Sequence, residues 1–220
     1  MKKSLYVSFF VAIFFFSLVS INAINDNALP LLGKIIYLDP GHGGIDGGAE
    51  YKDIYEKNIN LSISLKLEEQ LGKLGAIVYL TRNGDYDLSV PNTIHRKRSD
   101  LSRRSNIINS SNCDLFLSIH LNSEITGTWR GPQVFYDDNN ENNKNIAQLY
   151  QDELNKNLSG KREIKQAEDL YLQKRIKRPG VLIEVGFLSN SSDRYLLKTE
   201  SYQNKVALVL KKATLKYFTQ

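Results

Sequence analysis

An α/β fold is what the sequence predicts: one domain on a mostly parallel, twisted sheet with helices on both faces. Three observations predict it. Short apolar runs, KIIYLD (34–39), CDLFLSIHLN (113–122) and PGVLIEVGF (179–187), read as buried strands. Between them lie segments whose apolar residues recur three and four apart, the signature of helices packed by one face. And 220 residues suffice for one compact core while leaving little room for a second.

Taken in order, the chain opens with MKKSLYVSFFVAIFFFSLVSINA, two lysines before an almost unbroken apolar run from Leu5 to Ile21. Residues 1–23 read as a signal peptide cut after Ala23, or as an uncleaved membrane anchor, since the run is just about long enough to span a bilayer. Either way the remainder is exported, and the membrane is reached only through this segment. Residues 24–33 read as a linker and 34–220 as the working domain.

KIIYLD is the first strand. From Tyr55, Ile59, Ile63, Leu67, Leu71 and Leu74 mark one helix face, which Gly72 weakens and Gly75 ends. AIVYLTR (76–82) is a second strand and NGDYDLSVPNT (83–93) a turn-rich loop. A helix from about Ile94 to Ile108 leads to CDLFLSIHLN, and GPQVFYD (131–137) gives a fourth strand. DDNNENNKN (137–145) is a polar connector expected to be mobile beside or over the working face. A helix over Ala147–Leu158, a strand or extended segment DLYLQKR (169–175), the strand PGVLIEVGF and a helix over Ser201–Phe218 complete the chain.

Composition narrows the partners. The net charge of +5 falls to +3 without residues 1–23, mildly basic and compatible with an anionic cell wall. No Lys/Arg run with interleaved aromatics appears, so nucleic acid is not expected; HRKRSDLSRRS (95–105) reads as a solvated helix face. Cys113 is the single cysteine, which excludes an internal disulfide and a Cys-based zinc site, and its apolar setting suits a small buried hydrophobe.

The chemistry follows the buried strands. The first runs into Gly41-His42-Gly43-Gly44, the third into His120-Leu121-Asn122-Ser123, and VLI runs into Glu184. Ligands of open α/β sheets bind beyond the carboxyl ends of the strands, so two histidines and an acid converge there. Dinucleotide binding is disfavoured, because a fingerprint starting at Gly41 needs glycine where Asp46 stands. Glu56, in the first turn of the helix after the Gly-rich loop, is a candidate third metal ligand. Two histidines and one carboxylate leave a fourth zinc position for water, as in catalytic sites. Blander readings stand beside this one. Asp53-Ile54-Tyr55-Glu56 fits a capping box, and His120 fits a hydrogen-bonded core histidine. Glu184 is harder to account for, since a lone carboxylate in VLIEVGF is costly to bury without a partner.

LDPGHGG with Asp46 and Gly48-Ala49, the Glu56-Lys57 pair, SIHLNS (118–123) and VLIEVGFLSN (181–190) together resemble the zinc-dependent N-acetylmuramoyl-L-alanine amidases of the bacterial cell wall, the amidase-3 family. The likeness spans about residues 34–218. It implies one zinc ion held by His42, Glu56 and His120, with Glu184 as catalytic acid/base and peptidoglycan as substrate. The short single-domain form and LYLQKRIKRPGVLIEVGFLSN are most similar to the germination-specific branch, which implies spore cortex synthesis before muramic-δ-lactam formation and a place in the cell wall or spore envelope. Asn122 is a substrate or oxyanion candidate, and Arg104 an anchor for structure or for a substrate carboxylate. Two positions depart from the pattern: Ile108 replaces an alanine, and Leu172-Gln173-Lys174 replaces Val-Leu-Arg. With only three protein ligands and no wall-binding module, an accessory protein that steadies the zinc site is a further expectation. The alternatives are a zinc exopeptidase acting on free peptides and a non-catalytic wall-binding module.

Overall fold

The computed structural model describes residues 29–158, 160–168 and 170–220, so the signal or anchor reading of residues 1–23 lies outside the described residues. Of the expected linker, the described part is docked. Leu31 is fully buried and its N–H donates to the Leu74 carbonyl at 2.9 Å.

Strand β1 (Ile35–Pro40) is followed by a hairpin of β2 (Glu50–Tyr51) and β3 (Ile54–Tyr55), helix α1 (Glu56–Gly72), β4 (Ile77–Leu80) and α2 (Arg96–Ser110). Then come β5 (Leu115–Asn122), β6 (Gln133–Tyr136), α3 (Asn143–Leu158), β7 (Lys165–Gln166), a 3-10 turn at Gln173–Arg175, β8 (Gly180–Phe187), α4 (Ser191–Leu197) and α5 (Glu200–Thr219). The sheet order is β4-β1-β5-β8-β6-β7. Every pairing in it is parallel except β6 on β8, which is antiparallel.

Alternation along the strands feeds two cores. On one face Ile36, Leu38, Leu117 and Ile183 pack with the α1 stripe Ile59, Ile63, Leu67 and Leu71 and with α3 and α5. On the other, Phe116 packs with Ile108 of α2, Cys113, Leu172 and Ile176. Cys113 is thus the buried hydrophobe its setting predicts.

Three expectations are corrected. The basic stretch 95–105 is not wholly a solvated helix face, because Asp100, Arg104 and Ser105 are buried on its inner side. Residues 170–175 form turns and the 3-10 helix instead of a strand, because Leu172 and Ile176, four apart, both turn into the second core. The Asn-rich connector lies away from the working face. Asn143 Oδ1 accepts the Gly180 N–H at 2.8 Å, which pins the connector to the amino end of β8.

Candidate metal centre and active site

The Gly-rich turn after β1 is a cradle whose carbonyls face inward to buried cations. Arg82 donates to the carbonyls of Pro40, Gly41 and Lys57 at 2.8–2.9 Å. Arg104 donates to those of Pro40 and His42, and Lys57 Nζ reaches the Gly44 carbonyl at 2.7 Å. Held in this way, His42 adopts φ 63, a conformation other residues rarely enter, and its ring turns into the crevice. Glycine is required where the walls meet. A Cβ at Gly41 would fall 2.2 Å from His120 Cε1, and one at Gly48 (φ +71) would fall 2.6 Å from Glu56 Oε2.

The capping box does not form: Tyr55 is the N-cap of α1 and makes no side-chain cap bond. The carbonyls of Ala49 and Gly47 accept the first helical N–H groups instead, from Glu56 and Lys57. Glu56 is therefore free to point into the crevice, where Oε2 accepts the Ala49 N–H at 2.8 Å. Oε1 accepts the Leu121 N–H at 2.9 Å and Asn60 Nδ2 at 3.1 Å. Both imidazoles address Oε1, His120 Nδ1 at 3.1 Å and His42 Nε2 at 3.2 Å. One donor atom from each of His42, Glu56 and His120 lies within 4.8 Å of the others, a set able to hold a metal ion. Two imidazoles and a carboxylate are the donors a catalytic zinc takes.

The charges of these side chains are coupled. Burial disfavours a charged ring at His42, yet Asp46 and Glu56 outweigh it and push His42 up to about 9. Burial likewise opposes ionisation of Glu56, but His120 and His42 hold its carboxyl far below the usual range. Asp46 Oδ2 lies 2.9 Å from His42 Nδ1, off the ring N–H direction but close enough to pair with it.

Glu184 stands opposite His120 in the β5–β8 register and opposite Gln133 in the β6–β8 register, so all three side chains share one sheet face. Its Oε2 is shielded from solvent and has no hydrogen-bond partner among the described residues. Burial first, then the charge on Glu56, push its carboxyl up to about 8. Glu184, His42 and His120 line one pocket of about 310 Å³, walled by Leu182, Leu172 and Tyr171.

The model of the N-acetylmuramoyl-L-alanine amidase family matches residues 36–215. The chain belongs to that amidase family. It is 44% identical over 197 residues to the germination-specific N-acetylmuramoyl-L-alanine amidase of Bacillus subtilis (strain 168), covering 88% of this chain and 83% of that protein. The amidase LytC of the same organism is 33% identical over 91% of this chain, which spans only 38% of LytC. Among solved structures, the CwlD amidase from Clostridioides difficile in complex with the GerS lipoprotein superposes with a TM-score of 0.80 at 40% identity, covering 84% of this chain and 98% of that one.

Of the remaining candidates, Arg104 lines the pocket and Asn122 does not. Arg104 is 1% exposed; it donates to Asp100 and Asp39 at 2.8 Å as well as to the Pro40 and His42 carbonyls. These bonds make it a structural anchor in the pocket wall, and they leave one Nη2 N–H without an acceptor among the described residues. Asn122 does not line the pocket, and its Oδ1 accepts the Ser123 N–H at 2.8 Å.

Sequence reasoning missed three supports. Asn60 holds Glu56 and the Gly41 carbonyl, and a polar residue one turn along the apolar α1 stripe was its signal. Arg82 closes the strand AIVYLTR and gave no sign of turning inward. Asp39, fully buried, accepts from Thr81 at 2.6 Å, Ser118 at 2.7 Å and Arg104.

Proposed function

We propose that this chain is a zinc-dependent amidase that cleaves the amide bond between N-acetylmuramic acid and L-alanine of peptidoglycan. Its setting is spore cortex synthesis, before muramic-δ-lactam formation. The observation that carries the reading is the convergence of His42, Glu56 and His120 on one point, with the unpartnered Glu184 carboxyl on the same sheet face. The names of the amidase relatives, the germination-specific one above all, support the substrate and the cortex role.

His42, Glu56 and His120 would hold the metal; zinc, when bound, supplies Lewis acidity and a water acidic enough to attack at neutral pH. Every other task belongs to the chain. Asp46 orients His42, while Asn60 and the Ala49 and Leu121 N–H groups fix both oxygens of Glu56, the kind of support that tunes a metal ligand. Glu184 takes the proton from the attacking water and delivers it to the L-alanine nitrogen, which must leave as an amine. A carboxyl held near neutrality can do both.

Among the described residues no helix is long and apolar enough to cross a membrane. Export to the cell wall or spore envelope rests on residues 1–23 and on the cell-wall relatives. An accessory protein steadying the metal site is part of the proposal, supported by the CwlD neighbour having been solved with a lipoprotein. The test is to incubate the purified full chain with intact peptidoglycan and identify new amino termini. N-terminal L-alanine appearing in proportion to bound zinc is expected; zinc-loaded protein that releases none, with or without an extract of sporulating cells, overturns the reading.

A further inference from the structure

A second cavity, of about 590 Å³, opens beside the pocket, lined by Trp129, Arg130, Gln133, Lys161, Arg162 and Glu163 among others. It is prebuilt. The Gly131 N–H donates to Asp193 Oδ2 at 2.8 Å and Asn190 Nδ2 to the Gly127 carbonyl at 2.8 Å, which fixes the loop bearing Trp129 and Arg130. The facing segment is fixed as Asn155 donates to the Arg162 carbonyl at 2.8 Å and Gln133 to the Glu163 carbonyl at 3.0 Å. Arg162 forks onto Gln133 Oε1 at 2.9 and 2.7 Å and lies 4.7 Å from the Trp129 ring centre. Arg130 and Lys161 are exposed and make no ion pair among the described residues.

Gln133 joins the two cavities, since it lines this one and is the cross-strand partner of Glu184 on the same sheet face. A general acid must stand on the leaving-group side of the bond it breaks. The cavity reached through Gln133 from Glu184 therefore continues the site in the direction of the departing amine. Three cations line it against one carboxylate, Glu163.

We propose that this groove is the subsite for the leaving peptide, with Arg130 and Lys161 pairing with its carboxylates and Trp129 covering its backbone. The proposal rests on the role of Glu184 given above. Arg162 is a positioning residue: its guanidinium is spent on Gln133 and holds the Trp129 ring.

The experiment compares muramoyl-peptides carrying free carboxylates beyond L-alanine with the same peptides converted to primary amides, in wild type and in Arg130→Glu/Lys161→Glu. Wild type is expected to favour the acidic peptide by about fivefold in kcat/KM through KM, in keeping with exposed charge pairs, and the double variant to lose or reverse that preference. A preference that the double reversal leaves intact overturns the proposal. So does an effect that tracks glycan-chain length instead of peptide charge, which would put sugar in the groove. Glu184→Gln run on both peptides separates the two readings. Turnover of both surviving in Glu184→Gln would fail the acid/base role, whereas loss of both with no charge preference in wild type fails the subsite alone.

Discussion

Two polar loops, one rich in glycine (residues 41–48) and one rich in asparagine (137–145), do opposite things with their backbones. In the first, carbonyls are taken by side chains from elsewhere: Arg82, Arg104 and Lys57 hold those of Pro40, Gly41, His42 and Gly44. Its one ring, His42, is left free to enter the crevice. In the second, the loop's own side chains make the bonds, some to nearby backbone and some to distant backbone. Asp137 Oδ1 accepts the Asn139 N–H, Asn140 Oδ1 the Asn142 N–H, and Asn143 binds both the Asp137 carbonyl and the Gly180 N–H. Distant cations fix the first loop around its histidine, whereas the second loop is tied down by its own asparagines and offers no ring to the pocket.

The sharpest way to break the contrast is Arg104→Met, which leaves Asp39 charged and buried among Thr81 and Ser118. A loss of about 3–5 kcal/mol is expected in denaturant unfolding, because breaking a buried pair strands one charge. Its pH dependence should also change sign. In the wild type burial opposes ionisation of Asp39, but Arg104, Thr81 and Ser118 outweigh it and hold the carboxyl below its ordinary value. A depressed folded pKa gives stability that is present above the unfolded value of about 4 and lost as pH falls through the folded one. Without Arg104 the carboxyl is raised, so stability should instead fall as pH climbs above about 4. Identical slopes in the two proteins would refute the anchoring role.

Next is Gly41→Ala, which forces His120 aside and is expected to weaken zinc binding by about 10- to 100-fold, as disturbed ligand support does, while the protein still melts cooperatively. Unchanged zinc affinity by competition with a chelator would show that the ring tolerates the intrusion. The smallest effect belongs to the other loop. Asn140→Ala removes two exposed bonds, from Nδ2 to the Lys177 carbonyl and from the Asn142 N–H to Oδ1, and should shift stability by about 0.5 kcal/mol, with amidase turnover unaltered.

The contrast also marks what could be read in advance. β1, β5 and β8 were legible as apolar runs, and His42, His120 and Glu184 followed from where those runs end. Glu56 was legible only with two readings open, since Asp53 to Glu56 has capping-box spacing; the choice between them is made by the Gly47 and Ala49 carbonyls, which arrive from the loop. Position at one pole or the other is a matter of strand direction. GPQVFYD reads as a strand, but nothing in it says that β6 runs antiparallel to β8 and so carries the asparagines to the amino end. The two-residue strands β2, β3 and β7 exist only through their partners and leave no period to detect. Helix α4 did leave a signal, Asn190 with Asp193 three residues on: Asn190 accepts the N–H groups of Ser192 and Asp193.

The central claim is that His42, Glu56 and His120 hold the metal while Glu184 moves the proton. Zinc content and L-alanine release measured on the same samples of wild type, Glu184→Gln and Glu56→Ala test it most directly. About one zinc per chain is expected in the first two and release lowered by about a thousandfold in Glu184→Gln, with both zinc and release lost in Glu56→Ala. Full release from Glu184→Gln, or zinc retained at full affinity by Glu56→Ala, would contradict it.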